Sequence, residues 1–455
     1  MEGVQVMGVP NGQGEDLVAL AAEAYVYGYP LVVALSTVES SMQEGFGPLA
    51  PTPFNHFAHA GPWAGHDVHA VSVDEDTVHS IAQLDLSGGP IRLHVPDTDG
   101  AYYVLQFVDT WTNNFAYVGR RATGTGAGDW LIVPPGWSGR EPGGLRGVID
   151  APTSVVSVVG RNACDTPDDM KRVRALQEQY TLTYLEPGTH RTGLPAPDPD
   201  VPAELRFFEQ LRVWMADFPP AAADCAYQDR FQPLGLLEEG PSPYVCAGPA
   251  LVRALTEGMT HGRRRVEAAA RPSTETLGGW EMDPHLFDYN LDHFGVGTID
   301  SPEWKIADRE ASYLVRAVAA RVALWGSHGY EAVYAHTRHD ADGNPLSGAH
   351  SYVLRFEQPP PVEAFWSVTM YDAPDHRLVA NPSGRYSLGD RTPGLVRGED
   401  GALTVLISKE PPADPGAAAN WLPAPDGEFR PVLRFCMPGR AILDGSYELP
   451  AIELS

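Results

Sequence analysis

The chain has 455 residues, 43% of them hydrophobic, and a formal net charge of −27 at pH 7. This length predicts two or three domains, and the apolar fraction is enough to give each a core, which excludes a disordered chain. The negative charge argues against a nucleic-acid partner, because phosphate binding needs a basic surface, and equally against an anionic membrane.

The first 17 residues have no basic segment followed by an apolar one, so they lack the pattern of a signal peptide. We also expect no run long enough to span a membrane. The four cysteines, at 164, 225, 246 and 436, form no C-x-x-C pair. Together these features favour a cytoplasmic protein with reduced thiols.

Residues 15–42 are predicted to form a mostly buried helix, because small and apolar residues recur on more than one face. Gly28 and Pro30 should break or kink this helix. From about residue 68 to 160 the hydrophobic period changes to two, which is typical of strands with one buried face. Strands are therefore predicted at 77–86 and 101–109.

The middle of the chain has helical periodicity, and β patterning returns from residue 330, with strands predicted at 364–371 and 403–408. The sequence thus predicts an α+β fold that is mainly β. Its predicted parts are a helical segment and loop over 1–67, a β region over 68–165, a helical domain over 166–329 and a second β region over 330–455.

The two β regions share a pattern. "AYYVLQFVD" (101–109) and "AFWSVTMYD" (364–372) align without gaps, and each ends in an aspartate. Either two amphipathic strands are similar by chance, or the chain carries two related β units with a site between them. A buried carboxylate needs hydrogen-bond donors. We expect Thr112 or Asn113 to hold Asp109, and Arg377 or Arg385 to hold Asp372.

Five histidines lie within 24 residues, among four acidic side chains: His56, His59, His66, Asp67, His69, Asp74, Glu75, Asp76 and His79. Imidazole and carboxylate together suit Zn, Fe, Mn or Ni. The spacing matches no compact metal motif, and the competing interpretation is a polar loop in which Asp76 or Thr77 bonds backbone amides and starts a strand. The sequence therefore leaves metal and cofactor unknown.

Arginine and turn residues gather in "NPSGRYSLGDRTPG" (381–394). Arg385 could hold a carboxylate or phosphate ligand, or it could pair with Asp390 and hold the loop, which is the interpretation we favour. The segment "NWLPAP" (420–425) is either a lid with an aromatic floor or a rigid turn bounded by prolines.

Several longer stretches are distinctive: "AYVYGYPL" (24–31), "NHFAHA" (55–60), "DTVHSIAQLDLSGGP" (76–90), "PDTDGAYYVLQFVDTWTNNFAYVGRRATGTGAG" (96–128), "RALQEQYTLTYL" (174–185), "AFWSVTMYD" (364–372), "NPSGRYSLGDRTPGL" (381–395) and "NWLPAP" (420–425). At these stretches the chain resembles the bacterial domain-of-unknown-function 1254/1214 proteins. The resemblance covers most of the chain and implies an N-terminal β-sandwich, a helical segment and a C-terminal jelly-roll-like β-sandwich. It implies no reaction.

One motif departs from the family. Where the family reads like "RPNNDTLYS", this chain reads "SVDEDTVHS". Asp76 and Thr77 keep the pattern, whereas His79 stands in place of the tyrosine. Any site common to the family at this turn would therefore use Asp76 and Thr77.

The leading hypothesis is a soluble enzyme of unassigned reaction that acts on a small polar or carboxylated molecule near the interface of the two β units. Asp76 and His79 are the expected catalytic pair, and Arg121 and Arg385 would hold an anion. Further expected substrate-binding residues are Thr77, Trp111, Asn113, Trp366 and Trp421. The alternatives are a non-catalytic ligand-binding protein, with Trp111, Trp366 and Trp421 as stacking surfaces, and a metal-dependent enzyme using the histidine cluster. Association with further copies of the chain stays open.

Overall fold

The protein contains four β-sheets and a group of helices. The structure is a computed structural model, and it describes residues 11–61, 76–186, 188, 191–271, 278–373 and 375–455. In the described part of the chain the strands outnumber the α-helices, 18 to nine, and the sheets pack in pairs as two sandwiches. The α+β, mainly β fold with two sandwiches around a helical segment is therefore confirmed.

The N-terminal sandwich consists of a five-stranded and a four-stranded sheet. In the first sheet the strand order is β1-β2-β8-β4-β5, and in the second it is β7-β6-β3-β9. Apolar side chains from both sheets, such as Leu93 and Leu105, fill the space between them. The strands are β1 (Phe57–His59), β2 (Thr77–Asp85), β3 (Ile91–Val95), β4 (Tyr103–Asp109), β5 (Asn114–Gly119), β6 (Gly128–Val133), β7 (Gly147–Asp150), β8 (Val155–Ala163) and β9 (Thr181–Tyr184).

The C-terminal, jelly-roll-like sandwich also consists of a five-stranded and a four-stranded sheet. Its five-stranded sheet has the order β10-β11-β17-β13-β14, and its four-stranded sheet has the order β16-β15-β12-β18. Leu354 and Val368 are among the apolar residues between these sheets. The strands are β10 (Glu281–Met282), β11 (Ala332–His336), β12 (Tyr352–Phe356), β13 (Val362–Asp372), β14 (Ser387–Gly389), β15 (Leu403–Ser408), β16 (Trp421–Pro423), β17 (Phe429–Pro438) and β18 (Ile452–Leu454).

The two sandwiches share the same strand topology. Adding nine to each strand number of the first sandwich gives the strand order of the second in both sheets. The pairs β6–β7 and β15–β16 are parallel, and the other pairs in both sandwiches are antiparallel. Strand β13 therefore occupies the place of β4. The interpretation of the repeated nine-residue pattern as two related β units is confirmed.

The first helix, α1, precedes the first sandwich in sequence, and α4 to α7 lie in the middle of the chain; the other helices are short connections within the two sandwiches. Helix α1 packs against three later helices, α4, α6 and α7. The helices are α1 (Asn11–Gln43), α2 (Arg120–Thr123), α3 (Met170–Gln177), α4 (Arg206–Asp217), α5 (Cys225–Asp229), α6 (Pro249–Ala269), α7 (Arg309–Ala323), α8 (Pro415–Ala419) and α9 (Arg440–Leu443). The short strands β9 and β10 fall inside the range expected to be helical, and each joins a sandwich sheet.

Helix α1 runs through Gly28 and Pro30 without a break, so of the expected break or kink the break is absent. Gly28 faces Leu211 of α4, and a β-carbon at position 28 would overlap the end of that leucine side chain. The glycine thus serves close helix packing, and tertiary contacts outweigh its low helix propensity. The expectation that no run is long enough to span a membrane is wrong by length and composition, because residues 16–43 of α1 meet both criteria; 67% of their most apolar window is buried inside the protein.

Candidate functional site

Asp76, expected to be catalytic, immediately precedes β2 and lies where the two sandwiches meet. Its carboxylate accepts a hydrogen bond from the hydroxyl of Ser367 on β13, and Nη2 of Arg391 lies 3.5 Å from its other oxygen. Thr77 and His79 follow on β2, opposite Ala163 and Arg161 of β8. Asp76 therefore takes part in contacts between the sandwiches.

Arg121, expected to hold an anion, also connects the sandwiches. Its Nε donates to Glu331 at 2.7 Å, and its Nη2 donates to the carbonyl oxygen of Gly297 at 2.5 Å. Glu331 is only 1% exposed, and its second oxygen accepts a hydrogen bond of 3.0 Å from the hydroxyl of Tyr102. These contacts give Arg121 a structural role.

Asp76 and Glu331 occupy equivalent positions in the two units. Each directly precedes the second strand of its five-stranded sheet. The carbonyl oxygen of Asp76 accepts from the amide of Cys164 at 3.0 Å, and that of Glu331 accepts from the amide of Met437 at 2.8 Å. The two carboxylates therefore start equivalent strands with the same backbone pairing.

Arg121 and Arg391 also occupy equivalent positions. Each lies two residues after the glycine that ends its strand, and these two strands, β5 and β14, are equivalent. Gly119 lies opposite Val104, and Gly389 lies opposite Ser367. In both cases a β-carbon on the glycine would strike the backbone of the neighbouring strand. The two loops therefore share a sequence feature: a glycine, which lets the neighbouring backbone approach closely, and an arginine two residues later.

The ion pairs between the units are reciprocal. Arg121 of the first unit pairs with Glu331 of the second, and Arg391 of the second pairs with Asp76 of the first. The equivalent rings of Tyr102 and Phe365 touch each other, with centroids 5.5 Å apart and planes at 86°. The sandwiches therefore meet as the halves of a two-fold symmetric dimer do, through the same surface on each.

A neutral histidine lies in this junction. The hydroxyls of Tyr117 and Tyr330 are each 2.9 Å from Nδ1 of His328. Burial, together with the nearby positive charge of Arg121, lowers the pKa of His328 to about 3. The imidazole therefore remains uncharged at neutral pH, and protonating it would place a second cation beside the arginine.

The two C-terminal tryptophans expected to bind substrate are structural. Trp366 lies in the core of the C-terminal sandwich and is 2% exposed. Trp421 is also buried, and its indole N–H donates to the carbonyl oxygen of Ser408 at 2.9 Å. Neither ring lies on the surface as a stacking platform.

The expected pairing of Arg385 with Asp390 is wrong. Asp390 accepts a hydrogen bond of 3.1 Å from the backbone N–H of Trp366, because the loop turns it back towards β13. Arg385 instead donates from Nη1 to three carbonyl oxygens at 2.9–3.2 Å, those of Ala418, Ala419 and Trp421. Asp76, Arg121 and Arg385 therefore do not line one cavity.

The histidine cluster forms no metal site within the described ranges, where no group of three or more His, Cys, Asp or Glu side chains converges. His56 bonds the carbonyl oxygen of Phe54, and His59 bonds the hydroxyl of Ser80. His66, Asp67, His69, Asp74 and Glu75 lie outside the described residues.

Two other predicted residues, Trp111 and Asn113, meet in a depression between the N-terminal sandwich and the helices, which we call the notch. It encloses about 310 Å³, including the part open to solvent. It is lined by Asp109, Trp111, Asn113, Pro152, Thr153, Pro219, Pro220, Ala221, Asp224, His293 and Arg316.

Asp109 forms the base of the loop that carries Trp111 and Asn113. It is 2% exposed, and its two oxygens accept from the backbone N–H and the side-chain amide of Asn113, both at 2.8 Å. Burial raises the pKa of Asp109, and the bonds from Asn113 oppose that rise. The expectation that Asn113 holds this aspartate is confirmed.

Asp372 at the end of β13 anchors its loop in the same way. It accepts a hydrogen bond of 2.8 Å from the backbone N–H of Arg377, as Asp109 does from that of Asn113. Arg377 is thus the donor, as expected, but it donates from its backbone N–H and not from its guanidinium. That backbone N–H closes the loop that follows β13.

Arg316 of α7 supplies the positive charge of the notch. It is 5% exposed and donates to the carbonyl oxygens of Trp111 and Tyr289 and, at 3.1 Å, to Oδ1 of Asn113. Its Nε is buried and has no hydrogen-bond partner among the residues that the structure describes. Among the described residues, no carboxylate lies within ion-pair distance of Arg316.

The notch also contains two titratable groups that sequence reasoning missed. His293 lines it, and its ring forms no hydrogen bond with the described part of the chain. Asp224 is engaged by Nη1 of Arg309 at 2.7 Å and by the hydroxyl of Tyr313 at 2.8 Å. Arg316 itself had a sequence signal, because it lies three residues after Tyr313, on the apolar face of a helical segment.

Fold and site together define an internally duplicated α+β protein whose first β unit shares a polar notch with the helices. Residues 54–184 match the family described as "Protein of unknown function (DUF1254)", and residues 331–440 match "Protein of unknown function (DUF1214)". The chain belongs to the family of two-domain proteins that combine these domains.

A solved structure shares this fold. The match with the crystal structure of the VPA0106 protein from Vibrio parahaemolyticus covers 96% of this chain and 100% of that protein, with a TM-score of 0.75 and 24% identity. A weaker match, with the crystal structure of an uncharacterised protein from Burkholderia cenocepacia, covers 98% of this chain and 96% of that protein, with a TM-score of 0.44 and 11% identity. No curated protein matches the chain.

Proposed function

We propose that the protein is an enzyme acting on a small carboxylated molecule bound in the notch. The observation that carries this proposal is the guanidinium of Arg316, which lines the notch and pairs with no carboxylate among the described residues. A guanidinium is the natural partner of a carboxylate.

The lining of the notch supports a small polar ligand. Asn113 and Thr153 supply polar groups around Arg316, while Pro219 and Pro220 form an apolar wall. A short acid with a hydroxyl, oxo or amino group fits this combination.

His293 supplies the acid–base group in this proposal. Its ring lines the notch and is bonded to no other described side chain, so either nitrogen can face a ligand. A ring nitrogen can accept a proton from a ligand or donate one to it, as general acid–base catalysis requires. Asp109 acts as a positioning residue, because it orients Asn113, which in turn accepts a hydrogen bond from Arg316.

The second candidate function is ligand binding without turnover. It is favoured by the hydrogen bonds of the two buried carboxylates in the notch. Asp109 is occupied by Asn113, and Asp224 by Arg309 and Tyr313. His293 would then be the one titratable side chain there that is available to a ligand among the described residues.

A binding screen tests the proposal. Short 2-hydroxy, 2-oxo and 2-amino acids are titrated into the protein by calorimetry, and each mixture is checked by NMR for conversion. Arg316→Gln should weaken binding at least tenfold, or about 1.4 kcal/mol. The matched control is Arg321→Gln, on the same helix but paired with Glu267, which should leave binding unchanged.

The same screen separates the two candidate functions. If His293→Gln keeps binding and abolishes conversion, the enzyme proposal stands. Recovery of every bound acid unchanged would favour the binding protein. If no acid binds, or if binding does not depend on Arg316, the site is assigned wrongly.

We also propose a cytoplasmic location. None of the four cysteines, which all lie in the described part of the chain, forms a disulfide bond; two are buried and two exposed, which suits a reducing compartment. Cell fractionation tests this, and recovery of the protein outside the cytoplasm with an oxidised cysteine would contradict it.

A further inference from the structure

The C-terminal sandwich has a pocket of its own, which we call the second pocket. It encloses about 240 Å³, including the part open to solvent. It is lined by Met370, Val379, Ala380, Asn381, Arg385, Tyr386, Pro423, Ala424 and Pro425.

The second pocket and the notch lie at the same end of the two related sandwiches. Ala151 follows β7 and donates to the carbonyl oxygen of Val133, and Ala424 follows β16 and donates to that of Ser408, both at 3.0 Å. The next residue in each unit is a proline, Pro152 or Pro425, and each lines its pocket. The duplication therefore places a depression at the same end of both units.

The linings of the two depressions differ in chemistry. The notch is mostly polar, whereas the second pocket is mainly apolar, with Met370, Val379 and three residues of the 423–425 segment. The amide of Asn381 is used locally, since it donates to the carbonyl oxygen of Arg385 and accepts from its backbone N–H. Arg385 is therefore the charged group available to a ligand.

The guanidinium of Arg385 is only partly engaged. Nη1 donates to three carbonyl oxygens, whereas Nε and Nη2 donate to no described residue. No carboxylate within the described ranges pairs with Arg385, although acidic side chains outnumber basic ones by 59 to 32. The carbonyl contacts fix the orientation of the guanidinium and leave its Nε–Nη2 edge, which matches a carboxylate in a bidentate pair.

We propose that the second pocket binds a monocarboxylate with a short apolar body, aliphatic or aromatic. The carboxylate would lie on the Nε–Nη2 edge of Arg385, and the body between Met370, Val379 and Pro423. A mainly apolar pocket with one oriented charge is the usual design of such sites. This site is separate from the notch and does not depend on the function proposed there.

The test uses 4-fluorobenzoate as probe and ¹⁹F NMR to measure its binding to the full chain. The wild-type protein should bind the probe, and the neutral isostere 4-fluorobenzamide should bind at least tenfold more weakly. Arg385→Gln should raise the dissociation constant at least tenfold. Arg316→Gln in the notch should leave it within twofold of wild type.

A second variant keeps the test decisive if Arg385→Gln destabilises the loop. Ala380 is exposed at the rim of the second pocket, so Ala380→Leu narrows the pocket without changing a buried contact. It should weaken 4-fluorobenzoate binding at least fivefold while the melting temperature stays the same. The proposal is overturned if the probe fails to bind at about 10 mM, if the benzamide binds equally well, or if both variants bind as wild type does. A loss of binding in Arg316→Gln instead would assign the probe to the notch.

Discussion

Replacing Asp109 tests the anchoring of the loop that carries the notch. In Asp109→Ala, the backbone N–H and the side-chain amide of Asn113 both lose their acceptor at a position that is 4% exposed. Each buried unpaired donor costs roughly 1–3 kcal/mol. The side-chain amide can turn and recover part of its loss, so we expect about 3 kcal/mol in total.

The equivalent aspartate provides a matched control. Asp372 accepts the same loop-closing bond, but it is half-buried, and its donors on Asp375 and Arg377 are exposed. Water replaces the lost acceptor there, so Asp372→Ala should cost less than about 1 kcal/mol. Urea unfolding of both variants gives the two free energies in one chain.

The outcome decides between an anchor and a catalytic group. Equal costs for the two alanine variants would refute the burial argument. Asp109→Asn keeps an acceptor for the backbone N–H, and it should retain most of the ligand binding in the notch. A well-folded Asp109→Asn protein that bound ligand normally but converted none of it would show that the carboxylate takes part in the chemistry.

Three further predictions concern stability. Because the pKa of His328 is lowered to about 3, the folded state loses stability as the pH falls from 6.5 towards 3, by about 3 kcal/mol at pH 4. The free energy of unfolding of His328→Gln, measured as a function of pH, should lack this loss of stability. Tyr102→Phe removes the hydrogen bond to the buried carboxylate of Glu331 and should cost roughly 1.5–3 kcal/mol in urea unfolding, whereas a cost near zero would mean that water replaces the hydroxyl. Gly28→Ala should destabilise the fold by roughly 1–2 kcal/mol through overlap with Leu211, and a rise in melting temperature would show that helix propensity wins instead.

The strands could be predicted because their signal is local. Alternation over 77–86 and 101–109 gave the positions of β2 and β4, and the match of 101–109 with 364–372 indicated the duplication. Strand β9, at Thr181–Tyr184, has no comparable buried face, since its side chains are alternately exposed and half-buried. It forms because it pairs with the free edge of β3, and this pairing becomes visible only in the folded sheet.

The notch could be predicted only in part, because its residues meet through tertiary packing. Asn113 and Arg316 are 203 positions apart in sequence, and nothing local to either indicates their contact. Asp109 was recognisable from its place at the end of an apolar strand, where a carboxylate needs donors. His293 lies in a segment without regular periodicity, so the sequence offered no reason to select it.

The reciprocal junction of the sandwiches has a thermodynamic consequence. In a dimer of identical subunits, an interface of this kind dissociates on dilution, so its occupancy depends on the protein concentration. Here one polypeptide carries both halves, and residues 185–280, between β9 and β10, tether them. The tether converts association into an intramolecular equilibrium with a fixed effective concentration. The Arg121–Glu331 and Arg391–Asp76 contacts therefore persist at any dilution at which the chain itself is folded, so each contact can be weak without separating the units.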